Sequence, residues 1–119
     1  MLSAIVLGTV LKVVDGDTIK VDVKDCNYNV LCKNIEVRFE GIDTPEIRGK
    51  CDKEKALALQ AKKLVEENYK SGDEVNLGAA KRDKYFRLLS KQQTISDRLI
   101  TLGLAVPYHG EKKTKDWCQ

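Results

Sequence analysis

The sequence predicts an α+β fold, a small closed barrel of five strands with two or three helices packed against its outside. Three observations carry that expectation. Several short runs alternate apolar and polar residues with a period of two. One long stretch, residues 52–69, changes to the period of about 3.6 that marks a helix. Helical segments are too few to alternate with strands as repeated parallel crossovers require. At 119 residues the chain suits a single domain over 1–119, with too little interior for two cores.

Each element follows in order. Residues 5–14 form a β-branched apolar run, with Gly8 predicted to permit a bend or bulge. The turn Asp15-Gly16-Asp17-Thr18 leads into Ile19, Val21 and Val23, which alternate with Lys20, Asp22 and Lys24, so the first two strands read as a hairpin. Residues 25–34 are polar and irregular, a long connection. Ile35, Val37 and Phe39 then alternate with Glu36, Arg38 and Glu40, which turns Arg38 away from the apolar face. Gly41 and Pro45 close that strand and shape the loop Asp43-Thr44-Pro45-Glu46.

Leu57, Ala61, Leu64 and Val65 make the stripe of the first long helix, with Asp52 as expected cap and Ser71-Gly72 as stop. A fourth strand is expected at Glu74–Leu77 and a fifth around Lys84–Leu89. Thr94-Ile95-Ser96-Asp97 fits a capping box for a second helix carrying Leu99, Ile100 and Leu102 and ending at Gly103. The tail from Val106 is less regular, with Trp117 available to dock it. Three strands, a helix, two strands and a helix fit an oligonucleotide/oligosaccharide-binding (OB) barrel, which leaves few edges exposed.

Composition narrows the function classes. Lys plus Arg number 21 against 18 for Asp plus Glu, a net charge of +3 that permits nucleic-acid binding without demanding it. No run is long enough to cross a membrane, and the N-terminus lacks the basic flank of a signal peptide. The location stays open: secreted or periplasmic if a leader is removed, cytoplasmic otherwise. Four cysteines, Cys26, Cys32, Cys51 and Cys118, allow three complete pairings. A Cys26–Cys32 bridge would staple the 25–34 excursion and Cys51–Cys118 would tie down the tail; free thiols and a zinc site are the alternatives.

The chemistry-bearing residues lie in the two acidic loops and beside two arginines. Asp17 and Asp43 each fit an ordinary turn; together at one barrel rim they would offer oxygen ligands to calcium. Glu46, beyond the rigid Pro45, suits a group that orients an attacking water, although a carboxylate with a pKa of about 4.3 needs help from a metal. Arg38 and Arg87 carry the fixed fork that pairs with phosphate oxygens. Lys84 belongs on a substrate rim, and Tyr85 and Tyr108 can stack on a base or bond a phosphate. A single histidine, His109, excludes two-histidine acid–base catalysis, and there is no phosphate loop or nucleophile elbow.

Val14-Asp15-Gly16-Asp17-Thr18-Ile19, Val37 through Glu46, and Arg82-Asp83-Lys84-Tyr85-Phe86-Arg87 occur in the order seen in the thermonuclease (staphylococcal nuclease-like) family, which the chain resembles over most of residues 5–110. The resemblance implies a five-stranded barrel and calcium-dependent, sugar-nonspecific cleavage of single- and double-stranded DNA and of RNA, leaving 3′-phosphate ends. It implies metal ligation by Asp17, Asp43 and the Thr44 carbonyl, with Glu46 as base, Arg38 and Arg87 as phosphate clamp, and Lys84, Tyr85 and Tyr108 at the substrate. It implies no obligate protein partner. The alternative is a catalytically inactive OB-fold protein that only binds nucleic acid. Two departures stand out: Phe86 replaces the family's glycine, and the shorter, polar segment around residues 90–94 predicts a shortened strand, with either lower stability or a displaced Arg87 as the expected consequence.

Overall fold

A computed structural model describes residues 5–26 and 29–119. In chain order its elements are β1 (Val6–Asp15), β2 (Thr18–Val23), a single turn α1 (Asn29–Cys32), β3 (Ile35–Phe39), β4 (Ile42–Asp43) and α2 (Asp52–Asn68). There follow β5 (Glu74–Gly78), β6 (Lys81–Arg82), β7 (Leu88–Ser90), α3 (Gln93–Thr101) and β8 (Val106–Pro107). Six strands form one curled sheet in the order β5-β1-β2-β3-β7-β6, and β4 pairs with β8 separately. Among the described residues only the β3–β7 pairing is parallel. The alternation pattern predicts an α+β, OB-type barrel with helices against it, and the sheet curls into a half-barrel form of that fold.

The hydrophobic effect sets the register. Val10, Ile19, Val21, Val37 and Phe39 are fully buried, and Ala61 and Val65 of α2 and Leu99 of α3 complete the core. In β1 the pairing with β2 slips between Val10 and Lys12 and again between Val13 and Asp15, not at Gly8. The first slip lets Val10 and Val13, three apart, both face inward while Lys12 is exposed.

Several local expectations are corrected. The stretch Asp83 to Arg87 is a turn, and the strand begins only at Leu88. Asp83 causes this: its carboxylate accepts the N–H groups of Tyr85 (2.8 Å) and Arg87 (2.9 Å), which offers the backbone a turn in place of a ladder. The helix α2 is capped not by Asp52 but by Cys51, whose sulfur faces the Glu54 N–H at 3.4 Å. Gln92 occupies the cap position of α3 without a side-chain bond to the helix, and Thr94 lies inside it, so the capping box does not form.

The shortened strand is real. Where a full ladder would join β5 to β7, side chains bridge instead: Ser90 Oγ donates to the Leu77 carbonyl (2.8 Å) and Gln92 Nε2 to the Asn76 carbonyl (2.9 Å). The chain leaves β5 at Gly78, whose φ of +63° suits glycine, and β6 then pairs with β7 further out. Both expected bridges are present, Cys26–Cys32 and Cys51–Cys118. The second anchors a tail whose Trp117 is buried.

Candidate nucleic-acid cleavage site

The hairpin and the third strand bring the two acidic turns together. Thr18 pairs with Arg38 across β2 and β3, and the Phe39 N–H donates to the Asp17 carbonyl at 2.7 Å. Gly16 packs on the second turn: a Cβ there would lie 2.7 Å from the Ala61 Cβ and 3.3 Å from the Thr44 side chain. A side chain at 16 would therefore wedge the turns apart. Asp17, Asp43 and Thr44 are all buried.

Arg38 is the tie between them. One of its Nη atoms lies 3.4 Å from an Asp17 carboxylate oxygen and also donates to the Ile42 carbonyl (3.1 Å), while the other donates to the Phe39 carbonyl (3.0 Å). Its side chain is only 12% exposed, so these contacts act with little screening by water. Next to Asp17, burial first and the Asp17 charge second push the Asp15 carboxyl up to about 7. That crowding of negative charge, with oxygen-only donors on the adjoining turns, fits a hard divalent cation. Among the described residues no three Asp, Glu, His or Cys side chains converge, so water would fill most of such an ion's shell.

Arg38 lines a cleft of about 940 Å³ together with Lys84, Tyr85 and Arg87. Tyr108 and Lys113 line the same cleft, and the Tyr108 ring lies 5.7 Å from the Arg38 guanidinium carbon. The displacement expected for Arg87 does not remove it from this cleft. Asp83 holds it there, accepting from Arg87 Nε at 2.9 Å. Burial opposes the Asp83 charge, but the Arg87 and Tyr85 N–H groups and the Arg87 guanidinium hold its carboxyl below the usual range.

Glu46 is exposed on a loop organised from below. The buried Glu54 accepts the Glu46 N–H and the Lys50 N–H, both at 3.1 Å. A residue from the far end of the chain completes the site. Lys113 Nζ lies 2.9 Å from one Asp43 carboxylate oxygen, at an angle outside hydrogen-bond geometry, and 3.8 Å from a Glu46 oxygen. Burial lowers the Lys113 pKa, yet Asp43 outweighs this and raises it, with Arg38 opposing and Glu46 assisting.

Nothing in the local sequence pattern marks Glu54 or Lys113 as part of the site. For Asp83 a signal existed, its spacing of four from Arg87; Lys113 sits in a basic run indistinguishable from solvated surface. A comparison with curated proteins gave no match. The model of one protein family, described as staphylococcal nuclease homologue, matches residues 36–118. That span takes in Arg38, Asp43, Thr44, Glu46, Lys84, Tyr85, Arg87 and Tyr108, and does not include Asp17, which lies in the turn of the unmatched β1–β2 hairpin. The curled sheet, the paired acidic turns and this match together make the chain a member of the staphylococcal nuclease homologue family.

Proposed function

We propose that this protein is a calcium-dependent, sugar-nonspecific endonuclease that hydrolyses phosphodiester bonds of single- and double-stranded DNA and of RNA, leaving 3′-phosphate ends. The observation that carries the reading is the position of Arg38. It contacts the Asp17 carboxylate and the Ile42 carbonyl beside Asp43, and lines one cleft with Arg87. A phosphate in that cleft would lie between two guanidinium forks with buried carboxylates alongside.

Calcium held by Asp17, Asp43 and the Thr44 carbonyl would neutralise charge on the scissile phosphate. Glu46 orients a water and takes its proton as the water oxygen bonds to phosphorus. The bond from phosphorus to the 5′-oxygen breaks, that oxygen leaves with the electron pair and takes a proton from solvent to become a hydroxyl, and phosphate stays on the 3′-oxygen. Arg38 and Arg87 donate to the equatorial oxygens, whose charge grows towards the five-coordinate transition state. Tyr85 and Tyr108 flank the phosphate, and Lys84 contributes affinity at the rim.

One observation favours a second reading, an inactive barrel that binds nucleic acid: the Lys113 ammonium faces Asp43 and Glu46, two of the groups assigned to the reaction. Digestion of end-labelled single-stranded DNA with calcium, and then with a chelator, separates the two. Cleavage that the chelator abolishes, with 3′-phosphate termini, supports the nuclease. Binding with no calcium-dependent cleavage supports the inactive barrel.

A further inference from the structure

Phe86 breaks two rules at once. Its φ is +64°, a left-handed conformation that a bulky side chain rarely adopts, and it is 71% exposed. Its ring therefore adds little to the core, and the left-handed turn would form more easily with glycine. The backbone beneath is nevertheless held firmly. The Phe86 N–H donates to the Asp83 carbonyl (3.2 Å), and the Phe86 carbonyl accepts from Arg82 Nη1 (2.9 Å). Arg82 Nη2 in turn donates to the Leu31 carbonyl at 3.2 Å, tying the turn to the neighbouring segment.

The ring stands in a basic stretch of the chain. Tyr85, 65% exposed, lies beside it in sequence and carries Lys84 Nζ at 5.2 Å and the Arg87 guanidinium carbon at 5.6 Å from its ring centre. Lys81 and Arg82 are exposed on the strand that leads into the turn. An outward aromatic among four cations matches a polyanion with flat apolar faces, which is single-stranded nucleic acid. Paired bases in a duplex are stacked on each other and present no free face.

We infer that Phe86 is a stacking site for an unpaired base next to the phosphate held by Arg87. The inference rests on the nuclease reading for the position of that phosphate. The left-handed backbone leaves the ring exposed between Tyr85 and Arg87, which both line the cleft. An aromatic–base stack contributes about 5- to 150-fold in affinity.

The test measures binding by fluorescence anisotropy, in chelator so that nothing is cut. The probes are a fluorescein-labelled dT12, an abasic 12-mer of equal charge, and a 12-bp duplex. The wild type should bind dT12 more tightly than either of the others. Phe86→Gly should weaken dT12 binding by at least about fivefold and leave the abasic probe unchanged. Phe86→Trp should retain dT12 binding, and thermal melting checks that both variants are folded. Equal dT12 affinity in wild type and Phe86→Gly overturns the stacking role while leaving the nuclease reading intact, as does an equal loss on the abasic probe. If the wild type binds no probe and cuts no DNA with calcium, both readings fall.

Discussion

The candidate site has two walls, built on different principles. The wall holding Asp17, Arg38, Asp43 and Thr44 is part of the barrel, buried and cross-tied between β2, β3 and β4. The opposite wall, residues 83–87, is a surface turn whose geometry depends on one side chain, Asp83, and whose aromatic residues face water. The first is fixed by folding; the second is a local device attached to its rim. Chemistry that needs accuracy suits the first, and adaptation to different substrates suits the second.

Arg38→Ala should give the largest effect because it strikes chemistry and fold together. Turnover should fall by about 10²–10³, and stability by about 2–3 kcal/mol as a buried carboxylate and a buried carbonyl lose their donor. Steady-state kinetics and urea denaturation measure the two losses. Arg87→Lys, on the other wall, should lose about 10²–10³ in turnover with a stability change below about 1 kcal/mol. Equal destabilisation by the two variants would erase the distinction between the walls.

Phe86→Gly sharpens it from the other side. Relief of the left-handed backbone should raise stability by about 1 kcal/mol, seen as a higher urea midpoint at unchanged slope. An unchanged or lower midpoint would mean that the exposed turn carries no strain. The smallest change belongs to Lys113→Gln. This ion pair is 44% exposed at its lysine end, so its loss should raise calcium affinity by no more than about fivefold by calorimetry. A fall in affinity would show that Lys113 supports the acidic turns and does not compete with a cation.

The sequence made the barrel wall largely legible. The period-two alternation in Ile35–Phe39 placed Arg38 on the face opposite the core, and both acidic turns follow from Asp, Gly and Pro at strand ends. The arm was less so. Residues 84–87 have strand-like composition, but two backbone N–H groups go to the Asp83 carboxylate, a competition that periodicity does not register. The caps went astray for a related reason: Cys51 is fixed by its bridge to Cys118, 67 residues away, and that bridge places the cap. Lys113 reaches Asp43 only because β8, Trp117 and the same bridge fold the tail back onto the barrel. No window of neighbouring residues carries that information.

The seam closed by Ser90 and Gln92 has a consequence for how the molecule breathes. One side of β5 is laddered to β1, but the other is held by two side-chain bonds, one from Ser90 at the end of β7 and one from Gln92 beyond it, so the sheet has a natural point of opening. Under native conditions deuterium should enter peptides covering residues 74–78 well before those covering 18–23, which are laddered on both flanks. Mass spectrometry would display the order directly, and Ser90→Ala should quicken exchange in the first segment while leaving the second slow.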